Sequence, residues 1–145
     1  MIRRFELDDL DEILQIEAQA FPKSSYTREM FLHYCHVFSE TFLVLEEGEV
    51  VGYIIFKPDG HVISLAVAPA DRRKGIGTRL MKACESRCAS DRLVVEVRKG
   101  NIWARKFYEK LGFRLKSKIR LYYGTEDAYV MVKEIPQVTA GHESP

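Results

Sequence analysis

The sequence predicts a mixed α/β fold: a mostly antiparallel sheet of about seven strands, with helices on its faces and one parallel pair. Three observations predict it. β-rich runs at residues 41–46, 50–57 and 61–67 are separated by short turns, Glu47-Gly48 and Pro58-Asp59-Gly60, the pattern of consecutive hairpins. A helix-period segment separates the run at 61–67 from another at 92–98, and such a strand–helix–strand unit joins parallel strands by a right-handed crossover. The remaining elements complete the order β-α-α-β-β-β-α-β-α-β-β.

Each element has its own signal. Ile2 to Phe5 reads as a short strand. Asp8 is placed to cap a helix, with Asp11 and Glu12 favourable in its first turn. Leu10, Ile13, Ile16 and Ala20 recur at helical spacing until Phe21-Pro22-Lys23-Ser24-Ser25-Tyr26 breaks the pattern. Thr27 can cap a second helix running to about Phe38. After the three hairpin strands, a polar loop at 69–74 leads to Gly75-Ile76-Gly77, and Ile76, Leu80, Cys84 and Cys88 then share one helical face. Arg92 to Arg98 is apolar between its terminal arginines except at Glu96. Ile102 to Leu111 reads as a helix stopped by Gly112. Strands at 113–119 and 128–135 flank the loop Tyr122-Tyr123-Gly124-Thr125-Glu126-Asp127. Residues 136–145 form a polar C-terminal tail, and 1–135 read as a single domain.

Composition narrows the class. The chain has 145 residues, 46% hydrophobic and 30% charged, enough to bury a core and too apolar to be disordered. Its apolar runs are far shorter than a membrane helix needs, and Met1-Ile2-Arg3-Arg4-Phe5-Glu6 does not read as a signal segment, so a cytoplasmic protein without membrane partners is expected. Three cysteines do not make a disulfide framework and no Cys-x-x-Cys pair exists; reduced, packed cysteines and no metal site are expected. His33, His36 and His142 carry no argument for a site. The net charge of +1 hides a basic middle: residues 72–120 hold 16 basic and 4 acidic side chains, residues 1–71 hold 5 and 13. Such a region attracts polyanions. Its charges are spread over two helices and two strands rather than clustered with stacking aromatics, which argues against nucleic acid and leaves a phosphorylated small molecule.

The sharpest local feature is Arg72-Arg73-Lys74-Gly75-Ile76-Gly77 where a strand gives way to a helix. Unpaired N–H groups at a helix start carry positive potential, and glycines let an anion approach them. Leu80 occupies the place of the third glycine of G-x-G-x-x-G, and no Gly-Lys-Ser/Thr follows, so neither the dinucleotide nor the triphosphatase loop fits.

Taken with S-L-A-V at 64–67, R-R-K-G-I-G-T-R-L-M at 72–81, E-V-R-K-G-N at 96–101, F-Y-E-K-L-G-F at 107–113 and Y-Y-G-T-E-D-A-Y at 122–129, the sequence resembles the GCN5-related N-acetyltransferases over residues 2–135. Within them it is most similar to the RimI-type enzymes that acetylate protein N-termini. The resemblance implies the GNAT fold, whose parallel pair is splayed. It implies acetyl-CoA as acetyl donor, with the pyrophosphate on Arg73, Gly75, Ile76, Gly77 and Thr78, charge from Arg72 and Lys74, the pantetheine arm beside Leu65, Ala66 and Val67, and a hydrogen bond from Asn101. It implies transfer to a primary amine in a ternary complex, the acceptor being a protein or peptide N-terminus, with a ribosomal protein among the candidates. A lysine side chain or small amine is the alternative acceptor, and a non-catalytic acetyl-CoA-binding module the remote one.

The chemistry needs a base, an oxyanion donor and an acid. An amine attacks a thioester only when neutral; an α-amine has pKa ~7.7–8 and a lysine ~10.4, so an N-terminal substrate needs less help. Glu96, the one charge inside its strand, reads as a base or as an outward strand residue. The resemblance favours the base, and likewise favours Tyr108 as the acid that protonates the departing thiolate over an aromatic packed at a helix end. The Val67 N–H is the expected oxyanion donor. Some related enzymes use a histidine at the position of His61 with a glutamate from the loop between the first two helices. Here the loop 21–26 has no glutamate, so His61 is a helper base or a strand-end residue. Phe21, Pro22 and Tyr26, with Tyr122 and Tyr123, are the expected peptide contacts, although paired tyrosines also cover sheet edges. Glu126 and Asp127 would favour a cationic peptide. Trp103 is expected to pack in the core.

Overall fold

The computed structural model describes residues 1–23 and 25–136; Ser24 of the first interhelical loop and residues 137–145, including His142 and nearly all of the expected tail, lie outside the described residues. Contacts group the chain into two units: Met1–Pro58 with Val62–Cys88, and Asp59–His61 with the chain from Ala89 onward.

In the first unit, β1 (Ile2–Arg4), β2 (Phe42–Glu47), β3 (Glu49–Phe56) and β4 (Val62–Val67) form an antiparallel sheet in the order β1-β2-β3-β4. β3 is buried along nearly its whole length because helices cover both faces. Successive strand residues point to opposite faces. A Cβ on Gly52 would lie 3.1 Å from Ile76 and 3.2 Å from Leu80 of α3 (Ile76–Arg87), whereas the next residue, Tyr53, reaches Glu17 of α1 (Leu10–Ala20). Gly52 thus lets α3 sit close to the sheet. The α1 side is filled by Leu10, Ile13, Ile16, Phe31, Phe42 and Tyr53, with the rings of Phe5 and Phe42 stacked at 4.2 Å.

The helix starts test the capping arguments. Thr27 caps α2 (Arg28–Val37) as expected, its Oγ1 accepting the Met30 N–H at 3.2 Å. Asp8 does not cap α1. A 3-10 turn at Leu7–Asp9 takes in Asp8, and Asp9 stands at the N-cap of α1 without a side-chain cap bond; its carboxylate turns back instead, Oδ2 accepting the Glu6 N–H at 2.8 Å while Arg3 donates to both oxygens at 2.8 Å. On α3, Ile76, Leu80 and Cys84 are buried as the spacing predicts, and Cys88 is the half-buried residue just past the helix.

In the second unit, β5 (Arg92–Arg98), β6 (Arg114–Ile119) and β7 (Ala128–Glu134) form an antiparallel sheet in the order β5-β7-β6. The Arg105 guanidinium of α4 (Ile102–Lys110) sits 4.5 Å from the Tyr129 ring centroid of β7. The seven strands therefore divide into two sheets, and the expected parallel pair is reduced to one bridge between His61 and Val94. That bridge is pinned by the Val94 N–H donating to the Gly60 carbonyl at 2.9 Å. Gly60 has φ +96°, and a Cβ there would lie 2.1 Å from the Arg92 carbonyl oxygen. Trp103 is 70% exposed on α4, against the expectation of core packing. The burial on α4 belongs to Tyr108, which packs edge-on against Phe113 at 5.1 Å.

Candidate active site

The first unit carries the anion cradle. Arg73 (φ +68°) and Gly75 (φ +77°) are left-handed, which turns the chain sharply into α3. Gly75 stands at the N-cap with no side-chain cap, and the first turn holds no acidic residue. The first-turn N–H groups, among them Ile76, Gly77 and Thr78, lack carbonyl partners within the helix and add their dipoles. A Cβ on Gly75 would meet nothing within 4 Å, so the approach is open. These residues fit a pyrophosphate. Arg72 is exposed, its Nε donating to the Val67 carbonyl at 3.3 Å; Lys74 is also exposed and lies 3.3 Å from Asp71.

The ladder of β4 sets where its main-chain N–H groups point. The Ala68 N–H bonds the Val51 carbonyl at 2.8 Å, which makes Val51 and Ala68 a hydrogen-bonded pair. By the alternation of antiparallel ladders, Gly52 and Val67 then form a non-bonded pair, and the Val67 N–H points away from β3. Leu65 shares that direction. Ala66 is buried, and Leu65 and Val67 are half-buried.

Between α1 and α2, Phe21, Ser25 and Tyr26 are held by hydrogen bonds. The Ser25 hydroxyl donates to the Phe21 carbonyl at 2.6 Å, the Tyr26 N–H to Glu17 Oε2 at 2.8 Å, and the Tyr26 hydroxyl to the Ile63 carbonyl at 3.3 Å. Phe21 is half-buried and Pro22 exposed. Glu17 itself is fully buried, and burial raises its carboxyl above the usual range although Tyr53 and the Tyr26 N–H oppose the rise. Tyr53 donates to Glu17 and also meets the Ser64 hydroxyl at 2.8 Å; burial pushes the Tyr53 phenol well up. Sequence reading missed Glu17. The available signal was its position one turn after Ile13 and two after Leu10, on the apolar face of α1.

The second unit gathers the titratable groups. His61 Nε2 lies 2.7 Å from Glu96 Oε1. Both line an open, polar concavity of about 1220 Å³ together with Asp59, Asp91, Arg92 and Glu134. Tyr123 is nearby: burial first, then Tyr122 and the Glu96 charge, raise its phenol to about 12. Its ring meets Tyr122 edge-on at 5.0 Å and carries the Arg98 guanidinium 4.1 Å from its centroid. Tyr122 is exposed.

Glu126 and Asp127 are engaged internally rather than offered to a peptide. Glu126 accepts from Arg98 at 3.1 Å and from the Gly100 N–H at 2.7 Å, and Asp127 accepts the Leu121 N–H at 2.9 Å. Arg98 was missed from sequence, and Glu126, read there as a residue favouring a cationic peptide, instead orders this loop. Asn101 caps α4, its Oδ1 accepting the Ala104 N–H at 3.0 Å, which leaves its amide nitrogen to donate elsewhere. Tyr108 is buried between the Phe107 and Phe113 rings. Among the described residues no cluster of three or more His, Cys, Asp or Glu could hold a metal ion, and no helix is long and apolar enough to cross a membrane.

The Acetyltransferase (GNAT) family model matches residues 8–113, and the chain belongs to that family. It is an acetyltransferase of mixed α/β architecture, a family whose acetyl donor is acetyl-CoA. Among relatives, it is 39% identical to an uncharacterized N-acetyltransferase of Methanocaldococcus jannaschii, over 94% of this chain and 92% of that one. It is 36% identical to the N-alpha-acetyltransferase of Sulfurisphaera tokodaii, over 90% of each. Among solved structures, Ard1 from Thermoplasma volcanium superposes with a TM-score of 0.85 at 30% identity, covering 94% of this chain and 98% of that one.

Proposed function

We propose that the protein acetylates the N-terminal α-amine of proteins or peptides, with Glu96 and His61 as the proton-accepting pair. The observation that carries this reading is the 2.7 Å contact of His61 Nε2 with Glu96 Oε1 in a polar concavity. An α-amine is only partly protonated near neutral pH, so a carboxylate–imidazole pair is a sufficient base. The name of the Sulfurisphaera relative supports the same acceptor. Neither that name nor the Methanocaldococcus one specifies a ribosomal protein, so RimI-type restriction to a ribosomal acceptor is the narrower form of the proposal.

Acetyl-CoA supplies the activated acetyl thioester. The first turn of α3, with Gly75, Ile76, Gly77 and Thr78, would hold its pyrophosphate, aided by Arg72, Arg73 and Lys74. Leu65, Ala66 and Val67 would line its arm, and Asn101 would donate to it. The Val67 N–H is the donor for the developing oxyanion, and the Tyr108 hydroxyl holds the proton for the thiolate. Phe21, Pro22, Tyr26, Tyr122 and Tyr123 would contact the peptide. We assign the protein to the cytoplasm, in keeping with its three free cysteines.

The test is a thiol-release assay with two peptide sets. Peptides with a free small or Met first residue should turn over at least tenfold faster than the same peptides blocked at the N-terminus and carrying an internal lysine. Equal rates, or faster turnover of a polyamine, would move the assignment to lysine or small amines.

A further inference from the structure

We infer that Glu17 is a positioning residue for the acceptor: it anchors Phe21 and Tyr26, its buried carboxylate holding Tyr26 where it receives the substrate amine's attached chain. This rests on the reading of Phe21, Pro22 and Tyr26 as acceptor contacts.

Glu17 is 1% exposed, and a carboxylate is rarely so buried without partners. Its two oxygens face different parts of the first unit. Oε2 accepts the main-chain N–H of Tyr26 at 2.8 Å, nine residues along the chain. Oε1 accepts the Tyr53 hydroxyl from β3, which in turn meets the Ser64 hydroxyl on β4 at 2.8 Å. One side chain on α1 therefore ties the far end of the loop to two sheet strands. The near end is tied by the same residue's main chain, since the Phe21 N–H donates to the Glu17 carbonyl at 2.8 Å. Between these anchors the exposed Pro22 is free to face a substrate.

Core stability alone does not call for this arrangement. Tyr53 already has a hydroxyl partner in Ser64, and an apolar side chain of similar volume on α1 would fill the space without desolvating a charge. What the carboxylate adds is a fixed acceptor for the Tyr26 N–H. Holding that N–H also sets the Tyr26 ring, which packs against Phe31 and Tyr34 at centroid distances of 5.8 and 5.4 Å. A loop held before binding costs less to order at binding.

The substitutions separate this role from a structural one. Glu17→Leu keeps the volume and removes the acceptor. Glu17→Gln keeps an oxygen for the Tyr26 N–H and turns its amide toward the Tyr53 oxygen, whose hydrogen can pass to Ser64. With whichever amine acceptor the wild type turns over, Glu17→Leu should raise KM for the acceptor at least tenfold. KM for acetyl-CoA should stay within threefold, and Glu17→Gln should restore the acceptor KM to within threefold of wild type. An unchanged acceptor KM in Glu17→Leu, or equal losses for both substrates, overturns the inference. So does a Gln variant no better than Leu. Amide exchange of Tyr26 in the wild-type protein gives a reading that needs no variant to fold. It should be slow in the apo protein, and exchange at the rate of an open loop overturns the inference. A wild type that acetylates no peptide α-amine would sink the proposed acceptor instead, while the Tyr26 exchange rate and the KM split on the amine it does use still decide the role of Glu17.

Discussion

Replacing Gly60 with alanine should damage both stability and catalysis, and the structure sets the size of the effect. Gly60 has φ +96°, a conformation that costs an L-residue ~1–2 kcal/mol. Its added Cβ would lie 2.1 Å from the Arg92 carbonyl oxygen, main-chain atoms that cannot swing aside. The β3–β4 turn must then move off β5, straining or breaking the 2.9 Å bond from the Val94 N–H to the Gly60 carbonyl. Overpacking of this kind costs ~1–3 kcal/mol. A total loss of about 3 kcal/mol is expected, and with an unfolding entropy of ~2.1 cal/mol/K per residue it lowers Tm by about 10 °C. His61 follows Gly60 directly, so its 2.7 Å contact with Glu96 should open. Well below the lowered Tm, kcat/KM should fall at least tenfold, about 1.4 kcal/mol. Gly48→Ala is the control. Its φ is +79° with nothing within 4 Å, so it carries the backbone strain without the collision. It should lose only ~1 kcal/mol and keep its activity. Thermal denaturation and thiol release measure both quantities. A Gly60→Ala protein as stable and active as Gly48→Ala would show that the Arg92 carbonyl does not restrict this position.

Four further outcomes are expected. Gly77→Asp places a negative charge in the first turn of α3 and should weaken acetyl-CoA binding at least tenfold by calorimetry; unchanged affinity in a folded protein would refute the cradle. Tyr108→Phe should lower kcat more than tenfold with acetyl-CoA affinity retained, and a wild-type kcat would place the acid elsewhere. Arg3 holds the Asp9 carboxyl below the usual carboxylate range through its hydrogen bonds, so that stabilisation is present above the ordinary pKa of ~3.9 and is lost as pH falls through the depressed folded value. Arg3→Met should therefore cost about 2 kcal/mol at pH 7, and urea denaturation should show the gap narrowing below pH ~4. The Tyr123 phenol should titrate near 12 by NMR, and Glu96→Gln should lower that value, because the Glu96 charge is one of the groups that raise it.

Most of the fold was legible because its signals are local. The hairpin runs, Thr27 as a cap and the face of α3 all follow from side-chain period or backbone freedom within a few residues. Partners set by tertiary approach were not legible. Asp8 is drawn into a 3-10 turn ahead of the first helix, and the Asp9 carboxylate turns back to Arg3 on β1. Gly60 read as an ordinary turn glycine, and its approach to the Arg92 carbonyl exists only once β5 is in place. The candidate site divides the same way. Short motifs marked Glu96, Tyr108 and the cradle. The pairing of His61 with Glu96, 35 residues away, and the internal use of Glu126 depend on which strands adjoin. Trp103 shows the opposite error: a large ring suggests a core, but the short helix α4 turns Tyr108 inward instead.

The central claim, transfer to an N-terminal α-amine, is tested most directly by giving the enzyme one peptide that carries both a free N-terminus and an internal lysine. Tandem mass spectrometry at low conversion then locates the acetyl group. N-terminal transfer should give at least ten N-terminally acetylated molecules for each one acetylated on lysine. A majority of acetyl groups on the lysine side chain would contradict it.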